Sequence, residues 1–206
     1  MDGGLRMIVS PETLFWLEWA AAGFGVMNIA LLIFRSHWNY LFGLVMVALY
    51  FFVFWEQALF AEAVLQVFFF AAQGWGWWLW LRVGGDDHKV EVRWLDWRSR
   101  WVWLVAMAAI SVNLSWLMEK YTTASAPWID TPIAVFSVGA QILLAFRRIE
   151  NWVLWVVIDI VSIWLYIMRD LEPTAGLYGG FLVMSLFGLK EWTEAARKTP
   201  EAERFA

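Results

Sequence analysis

The chain has 206 residues, of which 62% are hydrophobic and 17% charged, with 18 Trp, 16 Phe, no Cys and a net charge of −4. Soluble domains carry about 25% charged residues and about 45–50% apolar ones, so the excess is too large for one buried core and argues against a soluble enzyme. Without Cys, disulfides, thiolate metal sites and cysteine nucleophiles are excluded together, and a polytopic helical membrane protein is expected.

A bilayer span takes roughly 20 apolar residues, and seven such runs are predicted. The N-terminus does not read as a cleaved signal, because Glu12 and Glu18 fall where an uninterrupted apolar core should begin. Span 1 is Leu14–Phe34, with Asn28 inside it, and span 2 is Trp38–Trp55. Span 3, Ala61–Leu81, places Gln66 and Gln73 on one face, near Phe69, Phe70 and Trp77. The loop Arg82–Arg100 alternates charge sign and reads as a solvated connector. Span 4 is Arg100–Leu117, carrying Ser111, Asn113 and Ser115. Asp130, beside Pro127 and Trp128, is expected to be solvated or to cap span 5, Trp128–Phe146, which holds Ser137 and Gln141 one turn apart. Span 6 is Asn151–Met168 and span 7 is Thr174–Trp192. Trp and Tyr gather at the span ends, as an aromatic belt requires. Backbone groups in hydrocarbon must be satisfied within the segment, so every span is a helix.

Of the 15 Lys and Arg, only Arg6, Lys120 and Arg169 fall on the side shared by the N-terminus and the loops after spans 2, 4 and 6. The remainder, including Arg35, Arg82, Arg93, Arg100, Arg147 and Arg148, fall on the other side. That bias predicts an external N-terminus and a cytoplasmic C-terminus.

Sliding the sequence against itself at an offset of 112 lays Asn39 on Asn151, Leu59 on Leu171, Ala63 on Ala175, Phe69 on Phe181, Gly76 on Gly188 and Trp80 on Trp192. Apolar sequence also matches itself by chance, but chance does not favour Asn, Gly and Trp. The halves lie four spans apart and so enter the membrane in the same direction. One transmembrane domain is therefore expected over residues 1–206, with a first three-helix repeat at 12–81, a connector helix at 100–117 and a second repeat at 128–192. Transporters with parallel repeats bind substrate near the midplane, between the halves.

Asp159 sits at the centre of span 6, where an ionisable group costs about 2.5–3.5 kcal/mol on insertion scales. Trp152, Trp155, Ser162 and Tyr166 share its helical face. Three roles fit: a wall for an aromatic and cationic ligand, a packing hydrogen bond, or a proton carrier. Under the repeat, Gln66 and Gln73 fall on Tyr178 and Ser185, which puts polar groups at matching depths in spans 3 and 7. No metalloprotease motif, phosphate-binding glycine loop or Ser/His pairing occurs. Gly84-Gly85-Asp86-Asp87 lacks the flanking domain a nucleotide cyclase needs, and Asp130 is misplaced for an intramembrane aspartyl protease.

The segments Leu65–Trp80 (LQVFFFAAQGWGWWLW), Glu150–Asp159 (ENWVLWVVID) and Leu177–Trp192 (LYGGFLVMSLFGLKEW) resemble the PnuC family of bacterial vitamin transporters. The resemblance runs from span 1 to span 7. It implies an all-α bundle of three helices plus one plus three, like the SWEET sugar transporters, in the bacterial inner membrane. It further implies a homotrimer that lets nicotinamide riboside equilibrate across the membrane until a cytoplasmic kinase traps it. Carried over by position, the family's binding region falls on Gln66, Gln73, Trp152, Trp155 and Asp159. Enterobacterial members have Asn where this chain has Gln73 and Asp159, and related branches carry thiamine, riboflavin or deoxynucleosides. The expected substrate wall is Gln66, Gln73, Gln141, Trp152, Trp155, Asp159, Ser162, Tyr166, Tyr178 and Asn28, facing a small cationic vitamin. No cofactor, metal or nucleic-acid partner is expected.

Overall fold

The computed structural model describes residues 9–57, 60–83, 91–122, 126–168 and 172–198. The described residues form seven helices: α1 (Pro11–Ile33), α2 (Asn39–Glu56), α3 (Phe60–Val83), α4 (Trp97–Tyr121), α5 (Pro127–Ala145), α6 (Glu150–Met168) and α7 (Glu172–Arg197). Five of them, α1, α2, α4, α5 and α6, are long and apolar enough to cross a membrane. The other two are diluted by polar residues. Gln66, Gln73 and Arg82 interrupt α3, and α7 ends in Lys190, Glu191, Glu194 and Arg197. Gly84–Asp87, His88, Ser125, Arg6, Arg169, Leu59, Leu171 and Arg204 lie outside the described residues.

The chain divides into two compact units, Met1–Val90 and Glu91–Ala206. In the first, α2 packs against both α1 and α3. In the second, α4 packs on α5, α5 on α6 and α6 on α7.

Helix ends are set by local chemistry. Ser10 Oγ accepts the Thr13 amide at 3.2 Å and Pro11 opens α1, where its missing N–H is no loss. Asp96 accepts the Ser99 amide at 2.9 Å and starts α4 three residues before the predicted span. The hydroxyl and amide of Ser99 hold the Asp96 carboxyl below the ordinary carboxylate range.

α1 and α5 end in the same way. Arg35 and Arg147 take left-handed φ angles of 60° and 59°. Ser36 N–H reaches back to Leu31 O (3.0 Å) and Arg148 N–H to Leu143 O (2.8 Å), closing a Schellman turn in each unit. Glycine is the usual residue there, and a side chain in this conformation costs about 1–2 kcal/mol. Arg offsets part of that cost, because a cation beside the last carbonyls of a helix is favoured and its long stem reaches the interface from a membrane edge. Asn39 and Asn151 then seal the turns, each side-chain amide donating at 2.6 Å to Ser36 O and Arg148 O.

A second matched device joins the last two helices of each unit. Tyr40 meets Trp80 edge to face at 5.1 Å and 86°, and Trp152 meets Trp192 at 5.6 Å and 86°. Each first ring lies over a glycine, Tyr40 over Gly76 and Trp152 over Gly188, where a Cβ would come within 2.5 Å of the ring. The helices approach this closely only because the side chain is absent.

The segment 91–95 departs from the solvated connector that alternating charge predicts. Val92 is buried, Arg93 N–H donates to Arg147 O (3.2 Å) and Ile149 N–H to Arg93 O (3.1 Å). Leu95 N–H donates to both carboxylate oxygens of Glu150, at 3.0 and 3.1 Å. Charge alternation reports polarity but not the backbone pairing that a distant segment offers. Asp130 is exposed in the first turn of α5, as expected, with Ala126 at the N-cap.

Candidate substrate site

Asp159 is 3% exposed on α6, and Ser185 of α7 donates its hydroxyl to Asp159 Oδ2 at 2.9 Å. It is a polar link between the two helices at depth. Two turns further along α6, Tyr166 meets Tyr178 of α7 with ring centroids 5.2 Å apart. Tyr178 in turn stands edge-on to Phe181 at 5.7 Å. Ser162 is buried on the turn between Asp159 and Tyr166. The helical spacing that placed Asp159, Ser162 and Tyr166 on one stripe therefore meets a matching stripe of Tyr178, Phe181 and Ser185 on α7.

The two tryptophans of the α6 stripe have different surroundings. Trp155 is half-buried and packs against the cluster of Met107, Ala140, Leu143, Leu154 and Ile158. Trp152 is 2% exposed, wedged between Gly188 and Trp192. Its face is spent on packing within the unit. Gln141 is half-buried on α5.

The first unit has its own polar group. Asn28 and Gln73 are both buried, and both amides lie against Gly43, where a Cβ would sit 2.6 Å from Gln73 Nε2 and 2.8 Å from Asn28 Nδ2. Asn28 Nδ2 also donates to Asn39 O at 2.6 Å. Gln66 is half-buried one turn-pair before Gln73 on α3. Among the described residues, no group of three or more His, Asp or Glu is placed to hold a metal ion.

Ser185 and Gly188 stand in the site and its support but not in the expected substrate wall. Their signal was present in the repeat, which lays them on Gln73 and Gly76.

A helical chain with five membrane-length apolar helices, a buried carboxyl–hydroxyl pair and a ring cluster on the same two helices has the make-up of a multi-pass membrane carrier. The nicotinamide mononucleotide transporter family matches residues 15–194, and the chain belongs to that family. It is a membrane transporter and not an enzyme. It is 27% identical to the nicotinamide riboside transporter PnuC of Escherichia coli (strain K12), over 90% of this chain and 88% of the relative. It is 28% identical to the PnuC of Neisseria mucosa, over 95% of this chain and 79% of the relative. The riboflavin/roseoflavin transporter RibM of Streptomyces davaonensis is 26% identical, over 93% of this chain and 91% of the relative. Among solved structures, the crystal structure of the vitamin B3 transporter PnuC aligns with a TM-score of 0.73 and 25% identity, covering 90% of this chain and 83% of that one.

Proposed function

We propose that this protein carries nicotinamide riboside across the bacterial inner membrane by facilitated diffusion, with net uptake driven by phosphorylation of the substrate inside the cell. The observation that carries the reading is Asp159, a buried carboxyl bonded by Ser185 on the same helix pair as the Tyr166–Tyr178–Phe181 ring cluster. Nicotinamide riboside bears a fixed positive charge on an aromatic ring. A carboxylate supplies its countercharge, and Trp155, Tyr166 and Tyr178 supply π faces. Ser162 and Gln141 add hydrogen-bonding groups in the same unit. Asn28, Gln66 and Gln73 are the polar contacts proposed from the first unit. Trp152 supports the stripe from behind by fixing α6 on α7. Relatives named as nicotinamide riboside transporters support this substrate, and a relative named for riboflavin keeps a second vitamin in view.

The proposal includes seven spans in a 3+1+3 parallel-repeat plan and a homotrimer. The matched turns at Arg35 and Arg147, and the matched ring-on-glycine joints, support the repeat. Lys and Arg fall mainly on one side of the membrane under this plan, which supports an external N-terminus. Because the chain has no Cys, single cysteines report topology directly. Ser99→Cys should react with an impermeant thiol reagent only in inverted vesicles, and Ser125→Cys only in right-side-out cells. Labelling of Ser99→Cys from outside would reverse the orientation.

Counterflow tests the substrate. Proteoliposomes loaded with unlabelled nicotinamide riboside and given a labelled trace, without any ion gradient, should accumulate label transiently. Accumulation only with labelled thiamine or riboflavin would keep the carrier and change the vitamin. Uptake that appears only with a pH gradient would make Asp159 a proton carrier in a symporter.

A further inference from the structure

A second site lies on the opposite face of α6 from Asp159. Glu150 and Asp159 are nine residues apart, which at 3.6 residues per turn places them about 180° apart around the helix and about 14 Å apart along it. Near Glu150, α4, α5 and α6 enclose a cavity of about 210 Å³ lined by Trp94, Trp103, Met107, Leu143 and Leu154. Its lining is apolar apart from Arg100 and Glu150. Leu104 and Val153, also in the lining, are 41% and 39% exposed, so the cavity opens outward beside membrane-length helices.

The polar end of this cavity is an ion pair set beside Arg-rich segments. Arg100 Nε donates to Glu150 Oε1 at 2.8 Å, and its guanidinium lies over the Trp94 ring at 5.1 Å. Glu150 turns its oxygens to Arg100 and the Leu95 amide, so its charge is engaged inward. Arg93, Arg98, Arg147 and Arg148 belong to the same end, linked by the Arg93 backbone pairing and the Arg148 guanidinium on Trp94 O. The segments 91–100 and 147–150, joined by the Arg93 backbone pairing, together carry five Arg against Glu91, Asp96 and Glu150, a net positive charge next to the apolar slot. Basic pockets between transmembrane helices are recognition sites for acidic lipid head groups.

We propose that this cavity binds an anionic phospholipid, with an acyl chain in the apolar slot and the phosphate on the Arg-rich segments. Charge complementarity selects the head group, and the outward mouth admits the chain from the bilayer. The lining touches Trp155 through Met107, Leu143 and Leu154 but includes none of the proposed substrate contacts, so a failure here leaves the functional proposal untouched.

The test is native mass spectrometry of the purified full-length protein in detergent, titrated with phosphatidylglycerol or phosphatidylcholine. Wild type is expected to retain phosphatidylglycerol about tenfold more tightly, roughly 1.4 kcal/mol. Val153→Trp and Leu104→Trp close the mouth from α6 and α4 respectively, and each should abolish that preference. Val157→Trp, on the exposed face of α6 outside the cavity, should keep it. Equal retention of the two lipids by wild type, or a preference that survives both mouth variants, would overturn the proposal. So would competition by glycerol phosphate alone, which would mean that the slot holds no chain. A change of oligomeric mass in the mouth variants, without loss of lipid, would instead assign the face to a second copy of the chain.

Discussion

Replacing Asp159 with Asn should weaken binding of nicotinamide riboside by at least about fivefold, roughly 1 kcal/mol, while leaving the fold intact. Asn keeps the size of the side chain and can still accept from the Ser185 hydroxyl, which lies 2.9 Å from the carboxyl in the wild type. What it removes is the negative charge. A cationic ring then loses its countercharge in surroundings where water does little screening, and the loss appears in Kd. Neutral riboflavin has no such charge to lose and serves as the internal control. Ser185→Ala separates orientation from charge. Removing the hydroxyl leaves the carboxylate charge in place but unoriented, so Ser185→Ala should weaken the cationic ligand less than Asp159→Asn does. Titration of intrinsic Trp fluorescence in proteoliposomes reads both variants. Unchanged affinity in Asp159→Asn, with a lowered melting temperature, would mean that the carboxyl only packs α6 on α7.

That prediction depends on a feature that was legible from spacing alone. Asp159, Ser162 and Tyr166 share a helical face whatever the helix packs against, and the structure gives that face Ser185 and Tyr178 as neighbours. Trp152 shows where the same logic stops. Its spacing puts it on the stripe, yet it is consumed by Gly188 and Trp192, because a helical wheel gives direction and not the depth of the opposing groove. The likeness between the two units is legible in the sequence where residues are identical, at Asn39 and Asn151, Gly76 and Gly188, Trp80 and Trp192. It is silent at Tyr40 and Trp152, which differ in identity but lie over equivalent glycines. The residues 91–95 were illegible for another reason. Their partners at 147–150 are more than fifty positions away, and nothing local in an alternating charge pattern announces a backbone pairing with them.

Gly188→Ala is expected to destabilise the protein by about 1–3 kcal/mol, the range for forcing extra volume into a packed site. An added Cβ would lie 2.5 Å from Trp152 Cε2 and Cζ2 and 2.6 Å from Cδ2, too close for any side chain to occupy without movement. Trp152 has nowhere to yield, being a rigid ring held edge-on by the fully buried Trp192. Gly180→Ala, two turns earlier on α7, is the control, since a Cβ there meets nothing within 4 Å. Helix propensity alone favours Ala over Gly by about 0.8–1.0 kcal/mol, so Gly180→Ala should be neutral or stabilising. The same chemical change is therefore destabilising at Gly188 and not at Gly180, and thermal unfolding in detergent separates them. Trp152→Phe gives the added methyl room, so combining it with Gly188→Ala should cost less than the sum of the two single changes. Gly76→Ala against Tyr40 should reproduce the effect in the first unit, where the added Cβ would approach the ring to 2.5 Å. Additive losses in the Gly188→Ala, Trp152→Phe pair would show that the ring and the glycine do not share one joint. The matched construction of the two units would then be a likeness of sequence without a common mechanical role.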